Sequence, residues 1–307
     1  ACTTGTDNTA VGARALGALT TANENTAVGY KALTSCTTGT QNTALGINAG
    51  ENLTTGSENI CIGRNAMDAS TDGAKCVYIG ANAGGSATTG ARNTGVGNFC
   101  MGNGTNAADQ NSAFGDNALR SLTSGSINTA VGNEAGYNVT TGSNNTLIGH
   151  DAGTANSPSG NVITGSNVVC LGDTNVQFLC AAVSTITTSD SRDKTDVQDF
   201  TQGLSWINSL RPVTYKWDRR TWYGTNEEPY GTPDGSKKQS RVHVGFLAQE
   251  VLDIEKANGY GDNNDNSLLV TLNTDGMGYG IGYERIVPML VNAIKELSTR
   301  VTALEAG

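Results

Sequence analysis

Asn8-Thr9-Ala10-Val11-Gly12, Asn25-Thr26-Ala27-Val28-Gly29 and Asn42-Thr43-Ala44-Leu45-Gly46 are one phrase repeated every 17 residues. The glycine returns at Gly63, Gly80, Gly97, Gly115, Gly132 and Gly149, with steps of 17 and a single step of 18, and a degenerate tenth copy ends at Gly172. A small residue follows three positions later in most copies (Ala32, Ala49, Ala66, Ala83, Ala118, Ala135, Ala152), and then a turn closing at Gly39, Gly56, Gly90 or Gly142. A fixed period means a solenoid, and 17 residues are too few for a helical-pair repeat, which needs about 33.

Thr, Ala and Val alternate over four or five positions, the strand period, and glycine recurs where the backbone must turn at positive φ. The reading is a coil of two short strands and two turns, stacked so that Asn lies over Asn. The aliphatic residues Val28, Leu45, Ile62, Ile79, Val96, Phe114, Val131 and Ile148 are expected to point inward. A buried aliphatic side chain contributes about 1.5–3 kcal/mol, while ordering costs about 1–2 kcal/mol per residue. One large apolar residue per coil cannot offset that, so neighbouring coils and neighbouring chains must contribute. The pattern resembles the head repeats of trimeric autotransporter adhesins and the repeat shafts of phage fibres, which implies a trimeric β-roll or β-prism.

Composition changes near residue 185. Residues 1–188 hold 11 acidic and 6 basic side chains, and residues 189–307 hold 17 and 13, with all three tryptophans (Trp206, Trp217, Trp222) and four of the five prolines. The organisation read from this is a shaft over 1–180, a linker over 181–188 and a second domain over 189–307. A net charge of −9 argues against a nucleic-acid partner, which requires clustered Lys and Arg. No apolar run approaches the roughly 20 residues needed to span a bilayer, so no membrane insertion is expected. The opening residues carry no secretory signal and start inside a repeat, which suggests a fragment or a processed chain.

Seven cysteines (Cys2, Cys36, Cys61, Cys76, Cys100, Cys170, Cys180) form no CxxC pair. With only His150 and His243, they argue for buried thiols rather than a metal site, a Cys61–Cys76 bridge being the alternative. No metal and no cofactor are expected.

The sharpest motif is Ser189-Asp190-Ser191-Arg192-Asp193-Lys194. A serine hydroxyl is a weak nucleophile until a base takes its proton, and a lysine serves as that base only where burial lowers its pKa. The run resembles the S-D-x-R-x-K signature of the endosialidase-type intramolecular chaperone of phage tail spikes and fibres. Further resemblances follow in order: Leu204 to Trp217 to a helix and an L-R-P-V-x-Y-x-W strand, Val244 to Val251 to GFxAQEV, and Tyr283 to Leu297 to a closing helix. The resemblance implies an α+β chaperone domain that self-cleaves once. Ser189 and Lys194 would be the catalytic dyad, Asp190 and Arg192 the supporting motif, and Thr188–Ser189 the scissile bond. Gln249 and Glu250 are read as capping and packing residues.

Leu290, Ile294, Leu297, Val301 and Leu304 are spaced 4, 3, 4 and 3, a heptad seam. With the trimerisation that the resemblance implies, it reads as a short coiled coil ending the chain. Gly224 to Lys238 reads as a variable loop, and Asp262 to Asn266 as a polar hairpin loop rather than a calcium loop, since Ser267 and Asn273 stand where a Gly and a Glu are required. The expected molecule is a homotrimeric distal part of a phage tail fibre or spike, assembled in the host cytoplasm and binding a host receptor, a glycan or a surface protein. The rivals are a bacterial surface adhesin with the same chaperone and a polysaccharide-degrading spike. The latter requires paired carboxylates, which Glu24, Glu51, Glu58 and Asp68 do not obviously form.

Overall fold

The structure is a computed structural model describing residues 4–104, 107–176, 179, 189–225, 228–273 and 276–306. It divides into two compact units, Ala1–Val176 with Tyr223–Gly231, and Gln177–Trp222 with Thr232–Gly307. The linker assigned to 181–188, with Cys2, Cys180 and Thr188, lies outside the described residues.

The first unit is a parallel β-solenoid. Its strands are β1 Thr9–Val11, β2 Thr26–Val28, β3 Thr43–Leu45, β4 Ile60–Ile62, β5 Val77–Ile79, β6 Thr94–Val96, β7 Ser112–Phe114, β8 Thr129–Val131, β9 Thr146–Ile148 and β10 Val169–Leu171. They form one ten-stranded sheet in sequence order, equivalent residues paired throughout. Each coil thus has one three-residue strand rather than two; the remainder of the coil is turns. At the glycine that ends each strand from Gly12 to Gly149, φ lies between 111° and 146°. A Cβ at Gly97 would sit 2.2 Å from the Gly115 carbonyl oxygen, so the coils stack backbone against backbone there.

The expected Asn stack is present and explains how a buried polar row is tolerated. Asn25, Asn42, Asn59, Asn93, Asn111, Asn128 and Asn145 are all inaccessible or nearly so. Asn42 N–H donates to Asn25 Oδ1 at 2.9 Å, and its Nδ2 donates to the Gly56 carbonyl at 2.9 Å. The same pair of bonds recurs at Asn128, so amide donors and acceptors are matched by coils above and below. Cys76 takes one place in the row; its N–H bonds Asn59 Oδ1 at 3.0 Å and its thiol reaches the Gly90 carbonyl at 3.3 Å.

The inward assignment of the strand aliphatics is overturned. Successive strand side chains alternate faces, and the middle residue faces the core: Ala27, Ala44, Cys61, Tyr78, Ala113, Ala130 and Leu147 are fully buried. The third residue points outward, with Val11 56%, Leu45 48%, Phe114 43%, Val131 39% and Ile148 42% exposed. Space inside the coil is narrow enough for alanine, and the bulk comes from the turns through Leu33, Leu53, Met67, Met101, Leu119 and Leu122. Cys36, Cys61, Cys76, Cys100 and Cys170 are free and buried, with no Cys61–Cys76 bridge. Burial pushes the Cys61 and Cys100 thiols up to about 12, as inert small hydrophobes require.

Tyr78 is the largest side chain in this row, and its ring lies where Gly84 and Gly95 leave room; a Cβ on Gly95 would stand 2.8 Å from Tyr78 Cδ1. Gly95→Ala installs the commonest residue of that repeat position and should nonetheless destabilise the shaft by about 1–3 kcal/mol through overpacking. Thermal unfolding checks it, and adding Tyr78→Ala should recover part of the loss.

The second unit is α+β. Helix α1 (Leu204–Ser209) precedes strand β11 (Val213–Tyr215), which pairs antiparallel with β12 (His243–Gly245). Helix α2 (Ala248–Ala257) leads to the antiparallel pair β13 (Val270–Leu272) and β14 (Tyr279–Ile281), and α3 (Ile286–Glu305) closes the chain. Trp206, Val251, Leu269, Val270, Ile286 and Met289 form the core. Helix α3 turns Ile286, Met289 and Ala293 inward and leaves the seam exposed: Leu290 41%, Ile294 64%, Leu297 46%, Val301 51% and Leu304 82%. Residues 262–266 form a turn that Asn264 ties to Leu272 by two hydrogen bonds, 2.8 and 3.0 Å. No helix among the described residues is long and apolar enough to cross a membrane.

Candidate self-cleavage site

Ser189 and Lys194 are brought together by a single short turn. Ser191–Asp193 form one turn of 3-10 helix, whose first N–H groups lack internal partners. Asp190 caps it, its Oδ1 accepting from Arg192 N–H at 2.9 Å. The Arg192 side chain closes back on the same carboxylate, with Nε 3.0 and 3.1 Å from its two oxygens. This pairing holds the Asp190 carboxyl below its ordinary range. The supporting motif residues therefore shape the turn and do not face Ser189. Reversing the chain across five residues places Lys194 Nζ 2.6 Å from Ser189 Oγ, the spacing a nucleophile and its base require.

Both residues are exposed in the single chain. In the single chain this hydrogen bond aligns the two groups.

The surrounding motifs hold the domain together. Arg211 and Glu250 form a two-pronged ion pair, Nε donating to Oε2 at 3.1 Å, which ties the L-R-P-V segment to the start of α2. That is the packing role expected of Glu250. Tyr283 reaches the GFxAQEV segment, its hydroxyl accepting from Phe246 N–H at 3.1 Å, and a Cβ on Gly245 would lie 2.3 Å from that hydroxyl.

Glu255 was not singled out by its sequence. It is fully buried, and its carboxylate accepts from the N–H groups of Leu269 and Val270, the latter at 3.3 Å, and from Ser267 Oγ at 2.8 Å. It fastens α2 to the β13–β14 hairpin. The legible signal is an acid four residues after Val251, on the apolar face of α2.

The chain is thus a stacked β-solenoid followed by a small α+β domain that opens on a Lys194–Ser189 hydrogen bond. Residues 189–260 match the family model described as the chaperone of endosialidase, a family of self-cleaving intramolecular chaperone domains. The match begins at Ser189, and residues 261–307 lie beyond it. No curated protein and no solved structure matches the chain. The matched domain and the solenoid together fit a phage tail spike or fibre-like protein.

Proposed function

We propose that the chain is the distal part of a homotrimeric phage tail fibre or spike for host attachment. Residues 189–307 align three chains, fold the shaft in register and then cut Thr188–Ser189. The observation that carries this reading is the Lys194–Ser189 hydrogen bond, formed at the first residue of the matched segment.

Assembly is supported by two apolar surfaces that the single chain leaves uncovered: the outward third residues of β1, β3 and β7 to β10, and the α3 seam. Soluble monomers rarely expose contiguous apolar patches above a few hundred Å². Three copies would cover both surfaces at once, and their contact would supply the burial that Lys194 needs as a base. In this reading Ser189 Oγ attacks the Thr188 carbonyl carbon while Lys194 takes its proton and returns it to the departing Ser189 amine. An ester to Ser189 Oγ forms as the peptide bond breaks, and water then hydrolyses it. The virion tail is the location this implies; an adhesin on a bacterial surface is the second reading, favoured only by the repeat's likeness to adhesin heads.

The test of chaperoning is refolding. A shaft slipped by one whole repeat keeps most of its pairings, so register must be set from outside the repeats. Cleaved shaft, denatured and diluted, should fail to regain native trimer, whereas uncleaved Ser189→Ala protein should recover a measurable fraction on a native gel. Efficient refolding of a 1–188 fragment alone would reduce residues 189–307 to a terminal cap.

A further inference from the structure

The turn position two residues after each strand-closing glycine is asparagine in four coils (Asn48, Asn65, Asn82, Asn117), Arg14, Lys31 and Phe99 in three others, and an acid in two successive ones. Where asparagines follow one another they form a self-satisfying amide stack: Asn48 Nδ2 donates to Asn65 Oδ1 at 3.1 Å, and Asn65 Nδ2 to Asn82 Oδ1 at 3.2 Å. All three backbones are left-handed, φ 55–56°, a conformation asparagine adopts at low cost. Farther along, the same position holds Glu134 (φ 57°) and then Asp151 (φ 55°) on the next coil. Two carboxylates replace two amides, so stacked donors and acceptors become like charges. Burial and the Asp151 charge push the Glu134 carboxyl above its ordinary value. Asp151 is only 8% exposed, and Asn156 Nδ2 approaches its Oδ2 at 3.2 Å. His150 Nδ1 stands 3.6 Å from the same Oδ2, and the stacking of coils accepts asparagine at this position in four other coils.

The pair coincides with the main irregularity of the repeat. The step from Gly149 to Gly172 is 23 residues rather than 17, and the longer coil folds Asp151 to Ser157 into a wall beside the carboxylates. A hollow opens against it, lined by Asn117, Arg120, Glu134, Tyr137 and Asp151 among others. Its far side is rigid: the Arg120 guanidinium lies between the rings of Phe99 and Tyr137, 4.7 and 5.6 Å from their centroids, and donates to Asn117 Oδ1 at 2.8 Å. Fixed acceptors on one side and a held aromatic and guanidinium on the other are the makings of a site for a hydroxyl-rich ligand. Costly polar arrangements of this kind cluster at functional sites.

From the paired carboxylates at the wall of the long coil, facing Tyr137 and Arg120, we infer that this hollow is a carbohydrate-binding site, taking a neutral or N-acetylated sugar whose hydroxyls donate to Glu134 and Asp151. Acidic sugars are disfavoured by the same two charges. The site deepens the attachment reading and rests on it for its biological use.

The test is the double variant Glu134→Asn, Asp151→Asn, which continues the amide of Asn117 over the next two coils. The full chain is applied to an array of neutral, N-acetylated and sialylated oligosaccharides, and its unfolding temperature is measured alongside. The expected result is retention of neutral or N-acetylated sugars by the parent and at least a tenfold loss in the variant, which unfolds a few degrees higher. A variant that unfolds lower would mark the two acids as structural and overturn the site, as would retention of sialylated sugars alone or equal binding by both proteins. If the array stays blank while the parent still adsorbs to a panel of bacterial cells, this site is overturned and attachment through another surface stands.

Discussion

Freshly expressed Ser189→Ala protein should run on a denaturing gel as one band of 307 residues, where the parent gives fragments of 188 and 119 residues. N-terminal sequencing of the smaller parent band should begin at Ser189. The variant removes the hydroxyl proposed to attack the neighbouring carbonyl, so the rate should fall by at least about a thousandfold. Lys194→Ala should behave alike, because the 2.6 Å bond to Ser189 Oγ has no substitute donor on the turn's other charged side chains: Arg192 is committed to Asp190. Lys194→Arg preserves charge and length but offers a group that does not deprotonate, so it too should stay uncut. The exposure of the pair adds a condition. If the required burial comes from neighbouring chains, parent protein held dissociated in mild denaturant should remain uncut and cleave on assembly. Cleavage that proceeds equally in dissociated chains would overturn the link between assembly and activation.

Two adjacent substitutions in β8 should have opposite consequences. Ala130 is fully buried and its side chain faces the core of the coil; Val131 is 39% exposed on the other face. Ala130→Asp places an unpaired carboxylate among Ala113, Leu119 and Leu147, all inaccessible. That should cost several kcal/mol and lower the unfolding temperature sharply, since no neighbour can compensate the charge. Val131→Asp leaves a solvated carboxylate on the single chain, so the coil itself should fold. On the outward apolar row, however, three such charges would be pressed together in an assembled trimer. The expected result is near-normal circular dichroism with loss of trimer in sedimentation. A trimer unaffected by Val131→Asp would show that this sheet face is not where the copies meet.

The contrast between those two residues also shows what the sequence could and could not reveal. The 17-residue period, one strand per coil and the Asn stack were legible because each is a repetition and needs no knowledge of orientation, whereas the second strand expected in each coil is turn. Which face of the strand turns inward was not legible. In a three-residue strand, alternation permits either the middle residue or its two neighbours, and size suggests Val over Ala. The larger residue turned outward because the coil is too narrow for a row of valines and because Leu33, Leu53, Met67 and Leu119 fill it from the turns. In the second domain, Ser189 and Lys194 could be picked out by a local spacing and a local turn. Glu255 escaped notice because its partners, Ser267, Leu269 and Val270, are brought to it only by the fold. Glu134 and Asp151 were missed for a related reason: 17 residues apart along the chain, they become neighbours only when coils stack.

The close passage of glycine over glycine along the shaft, with a Cβ excluded at 2.2–2.7 Å from the next carbonyl oxygen, makes the shaft a ruler. Coil spacing cannot stretch or compress to accommodate a side chain there, so every turn advances the axis by the same inter-strand step, about 4.8 Å. Length is therefore counted in whole units: duplicating or deleting one 17-residue unit moves the tip by one graduation and leaves every other contact in place. A change of any other size must be absorbed as a bulge on the outer turns, as in the 23-residue coil before Gly172. Reach and surface features can thus vary independently, the first by the number of repeats and the second by what each repeat carries at its corners.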